Sequence, residues 1–215
     1  MGVSFFVKKS PSGDNFSNGI GDWTLFPSDS DATADWYESN SMRLSINTGG
    51  SSEIDLIRAT WIYGLSGDFD IETEYQRLSL SGLGGVDVAE YGLYVVPSDS
   101  LDGDSDNIRV LHIENESLMQ ARYELNNSVQ QTIFNSTKPN PTLDNLRLRI
   151  TRVGATFTTY HDTGDGIWKL VGQFNATPFE NEIMHPSFHM YRAYTVSVSA
   201  KFDNFKVNSG TIVSP

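Results

Sequence analysis

Polar side chains that could bind or cleave a sugar alternate along two neighbouring segments, residues 108–114 and 120–125. If these segments pair as a hairpin, His112 lies opposite Arg122, because a short loop between them sets that register. One face of the hairpin then carries His112, Glu114, Gln120, Arg122 and Glu124. Such a face can hydrogen-bond the hydroxyl groups of a glycan. It can equally be a solvated face, whose cross-strand ion pairs contribute only about 0.2–1 kcal/mol each.

The same face offers Glu114 and Glu124 as a pair of carboxyl groups. Retaining glycoside hydrolysis needs two carboxyl groups about 5–5.5 Å apart. The polar face of the hairpin therefore has two interpretations, as a site of glycoside hydrolysis or as a ligand-binding site.

Trp36 and Tyr37 are candidates for an exposed aromatic platform, because they follow the acidic segment 28–35. The C–H faces of a pyranose stack on aromatic rings while neighbouring polar groups bind its hydroxyls. Most other aromatic residues lie within strand-like segments, where aromatic side chains usually belong to the core or a sheet face.

Composition excludes several classes of function. The chain has no cysteine, so disulfides, thiol catalysis and cysteine zinc sites are ruled out. Its four histidines show no metal-binding spacing. The net charge of −12 opposes binding to nucleic acid or to an anionic membrane. No window approaches the roughly 20 apolar residues needed for membrane insertion.

The elements that must position these residues are β-strands. Leu146, Leu148 and Ile150 alternate with polar residues, and 155–161 and 167–173 follow after short glycine-containing turns. This pattern is typical of an antiparallel meander. In segment 69–76 the apolar and acidic residues alternate in the same way.

Strand-like segments recur along the whole chain, and no segment has a convincing helical period. The predicted strands are 42–46, 54–61, 69–76, 91–96, 108–113, 121–125, 129–134, 146–151, 155–161, 168–173, 188–191 and 195–207. The predicted fold class is all-β: a two-sheet antiparallel β-sandwich, or jelly roll, of about twelve strands. A bulge or bend is expected at Asp203-Asn204, where the alternation of the last strand changes parity.

Length favours a single domain over residues 1–215, with 1–11 and 208–215 as terminal arms. The first residues do not have the charge and apolar pattern of a signal peptide. The expected location is extracellular or on a virion surface, either as a fragment of a longer secreted protein or as a virion component.

The order of several segments resembles the concanavalin A-like lectin/glucanase superfamily, over roughly residues 12–208. The segments are Asp14-Asn15-Phe16-Ser17, Asp22-Trp23-Thr24, Met42-Arg43-Leu44-Ser45-Ile46, Gly67-Asp68-Phe69-Asp70-Ile71-Glu72, the 146–173 meander and Lys201-Phe202-Asp203-Asn204-Phe205-Lys206-Val207. The resemblance implies a jelly roll of two curved sheets. It also implies glycan binding, glucanase activity or a structural role in a surface or phage protein.

One segment looks like the catalytic strand of family-sixteen glycoside hydrolases, Glu-Ile-Asp-x-x-Glu. Glu53 and Asp55 match its first two acids, but Arg58 stands where the third acid is expected. The segment also lies earlier in the chain than that catalytic strand would be expected, so we interpret it as a solvent-facing strand whose acidic residues are coincidental.

The resemblance also implies a structural calcium ion, which members of the superfamily often hold near the last strand. Asp203 matches the position of the last-strand ligand, and Asp14 or the carbonyls of Gly49-Gly50 could complete the shell. Alternatively, Asp203 only caps a bulge by accepting hydrogen bonds from nearby backbone N–H groups.

Together these observations predict a non-catalytic module that recognises a glycan or surface polysaccharide. The expected ligand-binding residues are Trp36, Tyr37, His112, Glu114, Arg122 and Glu124, with Asp14 and Asp203 for calcium. The first alternative is a structural capsid, decoration or tail protein that uses the jelly roll for homo-oligomer or assembly contacts. The second is a glucanase-type glycoside hydrolase.

Overall fold

Antiparallel β-strands make up nearly all of the chain that the structure describes. The computed structural model describes residues 13–14, 16, 21–27, 32–37, 41–46, 54–82, 88–101, 106–114, 118–135, 146–193 and 196–215. Its strands are β1 (Gly13–Asp14), β2 (Trp23–Pro27), β3 (Ala32–Tyr37), β4 (Ser41–Ile46), β5 (Ile54–Trp61), β6 (Gly64–Ser81), β7 (Val88–Pro97), β8 (Asn107–Ile113), β9 (Leu118–Leu125), β10 (Ser128–Asn135), β11 (Leu146–Val153), β12 (Thr156–Asp162), β13 (Lys169–Asn175), β14 (Met184–Ala193) and β15 (Ser197–Val213). Short 3-10 turns occupy Ser98–Ser100 and Thr177–Phe179. Among these residues no helix is long and apolar enough to cross a membrane.

The strands form two sheets. The first sheet has the order β10-β9-β8-β7-β14-β5-β2, and the second has the order β13-β12-β11-β6-β15-β4-β3, with β1 also paired to β15. Within the described strands, Met184 opposite Leu65 is the pairing that joins the two sheets. Because β14 inserts between β5 and β7, strands distant in sequence become neighbours. This topology is the predicted two-sheet jelly roll, and the fold-class prediction is confirmed.

The core lies between the two sheets, because alternate residues of each strand point inward. Strand β6 follows the predicted division: Phe69, Ile71 and Tyr75 are buried, whereas the intervening acidic residues are partly exposed. On the outer face of the second sheet, Asp70 accepts hydrogen bonds from Arg149 at 2.8 and 2.6 Å. Inner and outer faces are therefore chemically distinct, as the alternation indicates.

The meander from β11 to β13 follows its prediction closely. Val153 pairs with Thr156, so the hairpin closes over two residues, and Gly154 takes the φ of 57° that such a turn favours. At the next turn an Asp162 carboxylate oxygen accepts hydrogen bonds from the N–H groups of Gly164 and Gly166, at 2.8 and 3.1 Å. Local residues thus determine both turns.

The strand prediction differs from the structure at two places. All twelve predicted strands are present, but β1, β2 and β3 are additional. Residues 208–215 were predicted to be a terminal arm, whereas Asn208–Val213 continue β15 along β6, with Val213 opposite Gly64. The polar composition of residues 208–213 does not reveal this extension, because it depends on backbone pairing with the long strand β6. The predicted arm at 1–11 lies outside the described residues.

Candidate functional site

The outer face of the first sheet carries a continuous row of polar side chains. In register, Thr60 lies opposite Ser187, Ser187 opposite Tyr94, Tyr94 opposite Arg109 and Arg109 opposite Arg122. The inward neighbours of these residues belong to the core. Five strands therefore align one polar row on the side away from the core.

This row borders a cavity of about 350 Å³. Its lining comes from β5, β7, β8, β9 and β14 and comprises Leu56, Arg58, Val88, Glu90, Tyr94, Arg109, Arg122, His189 and Tyr191. Arg58, Tyr94, Arg109 and His189 are buried although they lie on the outer face. The face is thus a recess, hereafter the β14 cleft, and not a flat sheet surface.

A stacked pair of rings forms part of the cleft. The rings of Tyr94 and His189 are 4.3 Å apart and inclined by only 10°. The guanidinium carbons of Arg58 and Arg109 lie 5.6 and 5.1 Å from the centre of the Tyr94 ring, within cation–π distance. The sheet therefore fixes these rings and both cations in place.

Burial determines the protonation of the ring pair. Burial raises the pKa of Tyr94 well above its usual value, so its hydroxyl keeps its proton. Burial, and then the charges of Arg58, Arg109 and Arg122, lower the pKa of His189 well below its usual value. Near neutral pH the cleft therefore presents a phenol and a neutral imidazole.

Glu124 is held at the β8–β9 side of the cleft. One of its oxygens accepts hydrogen bonds from Arg109 at 2.7 Å and Arg122 at 3.3 Å, and the other accepts from the Asn107 amide at 2.9 Å. Charge-assisted hydrogen bonds of this kind are shorter and stronger than those between neutral groups. Glu124 therefore orients Arg109 and Arg122, which both line the cleft.

An exposed aromatic side chain lies at the outer edge of the same sheet. Phe134 on β10 pairs with Gln120, which pairs in turn with Leu111, so these residues share the outer face. Its side chain is 58% exposed. Phe134 can therefore act as a stacking surface beside the cleft.

The predicted polar face is only partly correct. Arg122 and Glu124 share the outer face, but His112 and Glu114 do not. The structure pairs His112 with Met119 and Arg109 with Arg122, a register shifted by three residues from the prediction. An odd shift moves one strand's side chains to the opposite face.

His112 and Glu114 instead lie between the sheets. His112 makes an edge-on contact with the Tyr91 ring at 5.1 Å, and burial, with Arg77 and His161, lowers its pKa to about 3. Glu114 accepts a hydrogen bond from Arg77 on β6 at 2.8 Å and another from the Tyr91 hydroxyl. These two residues stabilise the sandwich, so the prediction that they contact a ligand on the hairpin face is wrong.

Of the two carboxyl pairs proposed for hydrolysis, the described residues test only Glu114 and Glu124. Glu114 lies on the inner side of the first sheet and Glu124 on the outer side, so they are not a catalytic pair. The backbone of Asp55 pairs with Arg192 on β14. The Asp55 side chain and Glu53 lie outside the described residues.

The predicted aromatic platform belongs to the other sheet. On β3, the backbones of Trp36 and Tyr37 pair with Met42 and Ser41 of β4, at the edge of the second sheet. Their side chains lie outside the described residues. Their role in binding stays a prediction.

The backbones of Asp14 and Asp203, two of the expected calcium ligands, lie near each other. Asp14 pairs with Phe205, two residues beyond Asp203. Asp203 Oδ1 accepts a hydrogen bond from the Asn204 N–H at 2.6 Å, and Asn204 has a φ of 47° where the β15 register shifts. This is the predicted bulge, capped as the alternative interpretation expected.

Among the described residues, no three Asp, Glu, His or Cys side chains are grouped so that they could hold a metal ion. Calcium takes six to eight oxygen ligands, and backbone carbonyls can supply some of them. The Asp14 side chain and Gly49-Gly50 lie outside the described residues. Calcium binding stays a prediction.

The sequence did not predict most of the β14 cleft, namely the roles of Arg58, Tyr94, Arg109 and His189, nor the exposed Phe134 beside it. A signal for one of them is present in β8, where Ile108 and Val110 alternate with Arg109. That alternation places Arg109 on the outer face. The convergence of the five strands has no local signal.

Comparison with known proteins agrees with the fold. No family model and no curated protein matches the chain. Solved structures do match: a Bacillus licheniformis β-glucanase has a TM-score of 0.60 at 12% identity, covering 94% of this chain and 100% of that one. The carbohydrate-binding module CBM66 from Bacillus subtilis has a TM-score of 0.55 at 15% identity, with coverages of 87% and 96%. The fold that they share with this chain is the two-sheet jelly roll.

A third structure with this fold concerns the calcium prediction. The exoplasmic/lumenal domain of VIP36, bound to Ca²⁺ and Man3GlcNAc, has a TM-score of 0.56 at 11% identity, covering 89% of this chain and 87% of that one. At such identities the likeness establishes the jelly roll alone. The bound calcium ion and Man3GlcNAc are properties of VIP36.

Proposed function

We propose that the chain is a non-catalytic glycan-binding module that holds a sugar in the β14 cleft. The observation that carries this proposal is the cavity of about 350 Å³ on the outer face of the first sheet, with the Tyr94–His189 ring pair beside hydrogen-bonding side chains. Its volume lies in the range of about 300–1,000 Å³ that small-molecule sites occupy.

The cleft combines the two contacts that a sugar needs. Tyr191 lines the cavity and Phe134 is exposed beside it, so apolar ring surfaces are available for the C–H face of a pyranose. The Tyr94 hydroxyl and His189 Nδ1 are buried without a hydrogen-bond partner in the described part of the chain. A buried polar atom left unsatisfied costs about 1–3 kcal/mol, so a sugar hydroxyl reaching these atoms is favoured.

The carboxylates near the cleft support binding without hydrolysis. Glu90 is the one carboxylate among the described lining residues, whereas glycoside hydrolysis uses a pair. Both carboxylate oxygens of Glu124 already accept hydrogen bonds from Arg109, Arg122 or Asn107, so this side chain is held by the protein and is not free to contact a leaving group.

Filling the cleft tests the proposal. Val88→Trp puts a large ring at the cavity wall, and Val153→Trp makes the same change at an exposed turn of the second sheet. Wild type and both variants are compared on a glycan array and by affinity electrophoresis, with release of reducing ends monitored. We expect Val88→Trp to lose the binding that Val153→Trp keeps, with no release of reducing ends.

Three results contradict the proposal. If wild type binds no glycan, the function is wrong. If Val88→Trp binds as well as Val153→Trp, the site is wrong. If reducing ends accumulate, the non-catalytic assignment is wrong.

A position outside the cell or on a virion, where a surface polysaccharide is accessible, fits this activity and stays a prediction. Homo-oligomer or assembly contacts stay a prediction too. Light scattering tests the second, and a strict monomer would count against the structural role that is the alternative function.

A further inference from the structure

Three arginines from three strands converge on the β14 cleft. Arg58 is on β5, Arg109 on β8 and Arg122 on β9, and all three line the cavity. Arg58 and Arg109 both lie over the Tyr94 ring, which brings their guanidinium groups to one part of the cleft. This concentration of positive charge occurs in a chain with a net charge of −12.

Among the described residues of the cleft, arginines outnumber carboxylates. Glu90 is the one described acidic residue of the lining, against three arginines. Glu124, next to the cleft, is shared by Arg109 and Arg122, so one carboxylate serves two guanidinium groups. With both carboxylates counted, the described residues of the cleft still carry an excess positive charge.

Hydrogen-bond donors also remain for a ligand. The Nε groups of Arg109 and Arg122 are buried and have no partner within the described residues. The guanidinium group is planar and always charged, and it binds carboxylate, sulfate or phosphate groups through paired N–H donors. A neutral sugar uses neither the charge nor this geometry fully.

This inference rests on the proposed function and specifies its ligand. We propose that the β14 cleft binds an acidic glycan, whose anionic group is held by Arg58, Arg109 and Arg122 while its sugar ring packs near the Tyr94–His189 pair. The remaining acidic surface of the protein repels a polyanion, but at physiological salt this repulsion is screened beyond about 8 Å. The contacts inside the cleft are short, so binding persists at that ionic strength.

The ligand test compares polymers that differ in charge. Polygalacturonate, its methyl ester, dextran and dextran sulfate are titrated against the intact chain by affinity electrophoresis and calorimetry, at physiological salt and without added calcium. We expect binding to polygalacturonate at least about tenfold tighter than to its neutral ester, because a hydrogen bond to a charged group is lost in the ester. Tighter binding to dextran sulfate than to dextran supports the same proposal with sulfate as the anion.

The residue test uses a matched pair of charge removals. Arg122→Gln removes a cleft arginine whose side chain is partly exposed, and Arg149→Gln removes an arginine of similar exposure on the second sheet. Arg122→Gln should weaken binding of the acidic polymer about tenfold or more, with Arg149→Gln unchanged. Arg122→Lys keeps the charge but loses the planar donors, so it should weaken binding less than Arg122→Gln.

The outcomes separate this proposal from the proposed function. Equal binding of polygalacturonate and its ester, with dextran sulfate no tighter than dextran, overturns the anionic ligand and leaves glycan binding intact. Equal loss in Arg122→Gln and Arg149→Gln also overturns it, because the effect is then one of total charge. If wild type binds neither these polymers nor any glycan on an array, the proposed function itself fails.

Discussion

Replacing the buried His112 with phenylalanine should make the protein less sensitive to acid. His112 lies between the sheets against the rings of Tyr75 and Tyr91, and neither ring nitrogen has a hydrogen-bond partner in the described part of the chain. Burial lowers its pKa to about 3, whereas an unfolded histidine has a pKa of about 6.5. The unfolded chain therefore takes up the proton first as the pH falls.

The sign and size of the effect follow from this difference. Because the folded pKa is depressed, the stabilisation is fully present above about pH 6.5 and is lost as the pH falls toward about 3. The limiting slope is about 1.4 kcal/mol per pH unit, which integrates to about 1.3 kcal/mol between about pH 7 and pH 5.5. His112→Phe keeps an aromatic ring at this site and removes that loss.

The assay is urea unfolding of wild type and His112→Phe at about pH 7 and pH 5.5. We expect the variant to be at least as stable as wild type at neutral pH and to lose about 1.3 kcal/mol less on acidification. His185→Phe is the comparison, because His185 Nδ1 lies 3.1 Å from the Trp61 carbonyl and Nε2 lies 3.1 Å from the Ser98 hydroxyl. Losing these partners should lower stability at neutral pH by about 1–3 kcal/mol.

Two results would refute the reasoning. Parallel pH dependences of wild type and His112→Phe would mean that His112 is protonated equally in both states. A large loss of stability in His112→Phe at neutral pH would mean that its ring nitrogens make essential hydrogen bonds.

Three further predictions concern the packing at Gly92, the ion pair between Glu114 and Arg77, and calcium. Gly92→Ala should destabilise the protein by about 1–3 kcal/mol in urea unfolding, because a Cβ there would lie 2.2 Å from the Val110 carbonyl oxygen; a neutral effect would contradict the close approach of β7 and β8. Glu114→Gln should cost about 3 kcal/mol, since it breaks a largely buried ion pair with Arg77, and a loss below about 1 kcal/mol would mean that the pair acts like a surface pair. If the predicted calcium site exists, calcium at about 100 times its Kd should raise Tm by about 5–10 °C in wild type and not in Asp203→Asn; equal Tm values with calcium and with chelator would remove that prediction.

The sequence was sufficient to predict the layers of the sandwich. In residues 69–76 of β6 and in β11 the period-two alternation is unbroken, and β11 to β13 are joined by turns whose glycines and Asp162 fix the geometry locally. Short edge strands such as β1 carry too few residues for a period to be recognised.

The sequence did not predict the cleft, for two physical reasons. The β8–β9 register depends on a connection whose geometry the residue types do not specify, and an odd shift there moved His112 to the inner face. The stack of Tyr94 on His189 depends on β14 lying beside β7, a pairing between strands far apart in the chain. Such non-local pairing has no counterpart in residue spacing.

The decisive measurement is a crystal structure of the chain with an acidic oligosaccharide. We expect the sugar in the β14 cleft, with its anionic group bonded to Arg58, Arg109 or Arg122. Density for the sugar elsewhere, such as beside Trp36 at the edge of the second sheet, would contradict it.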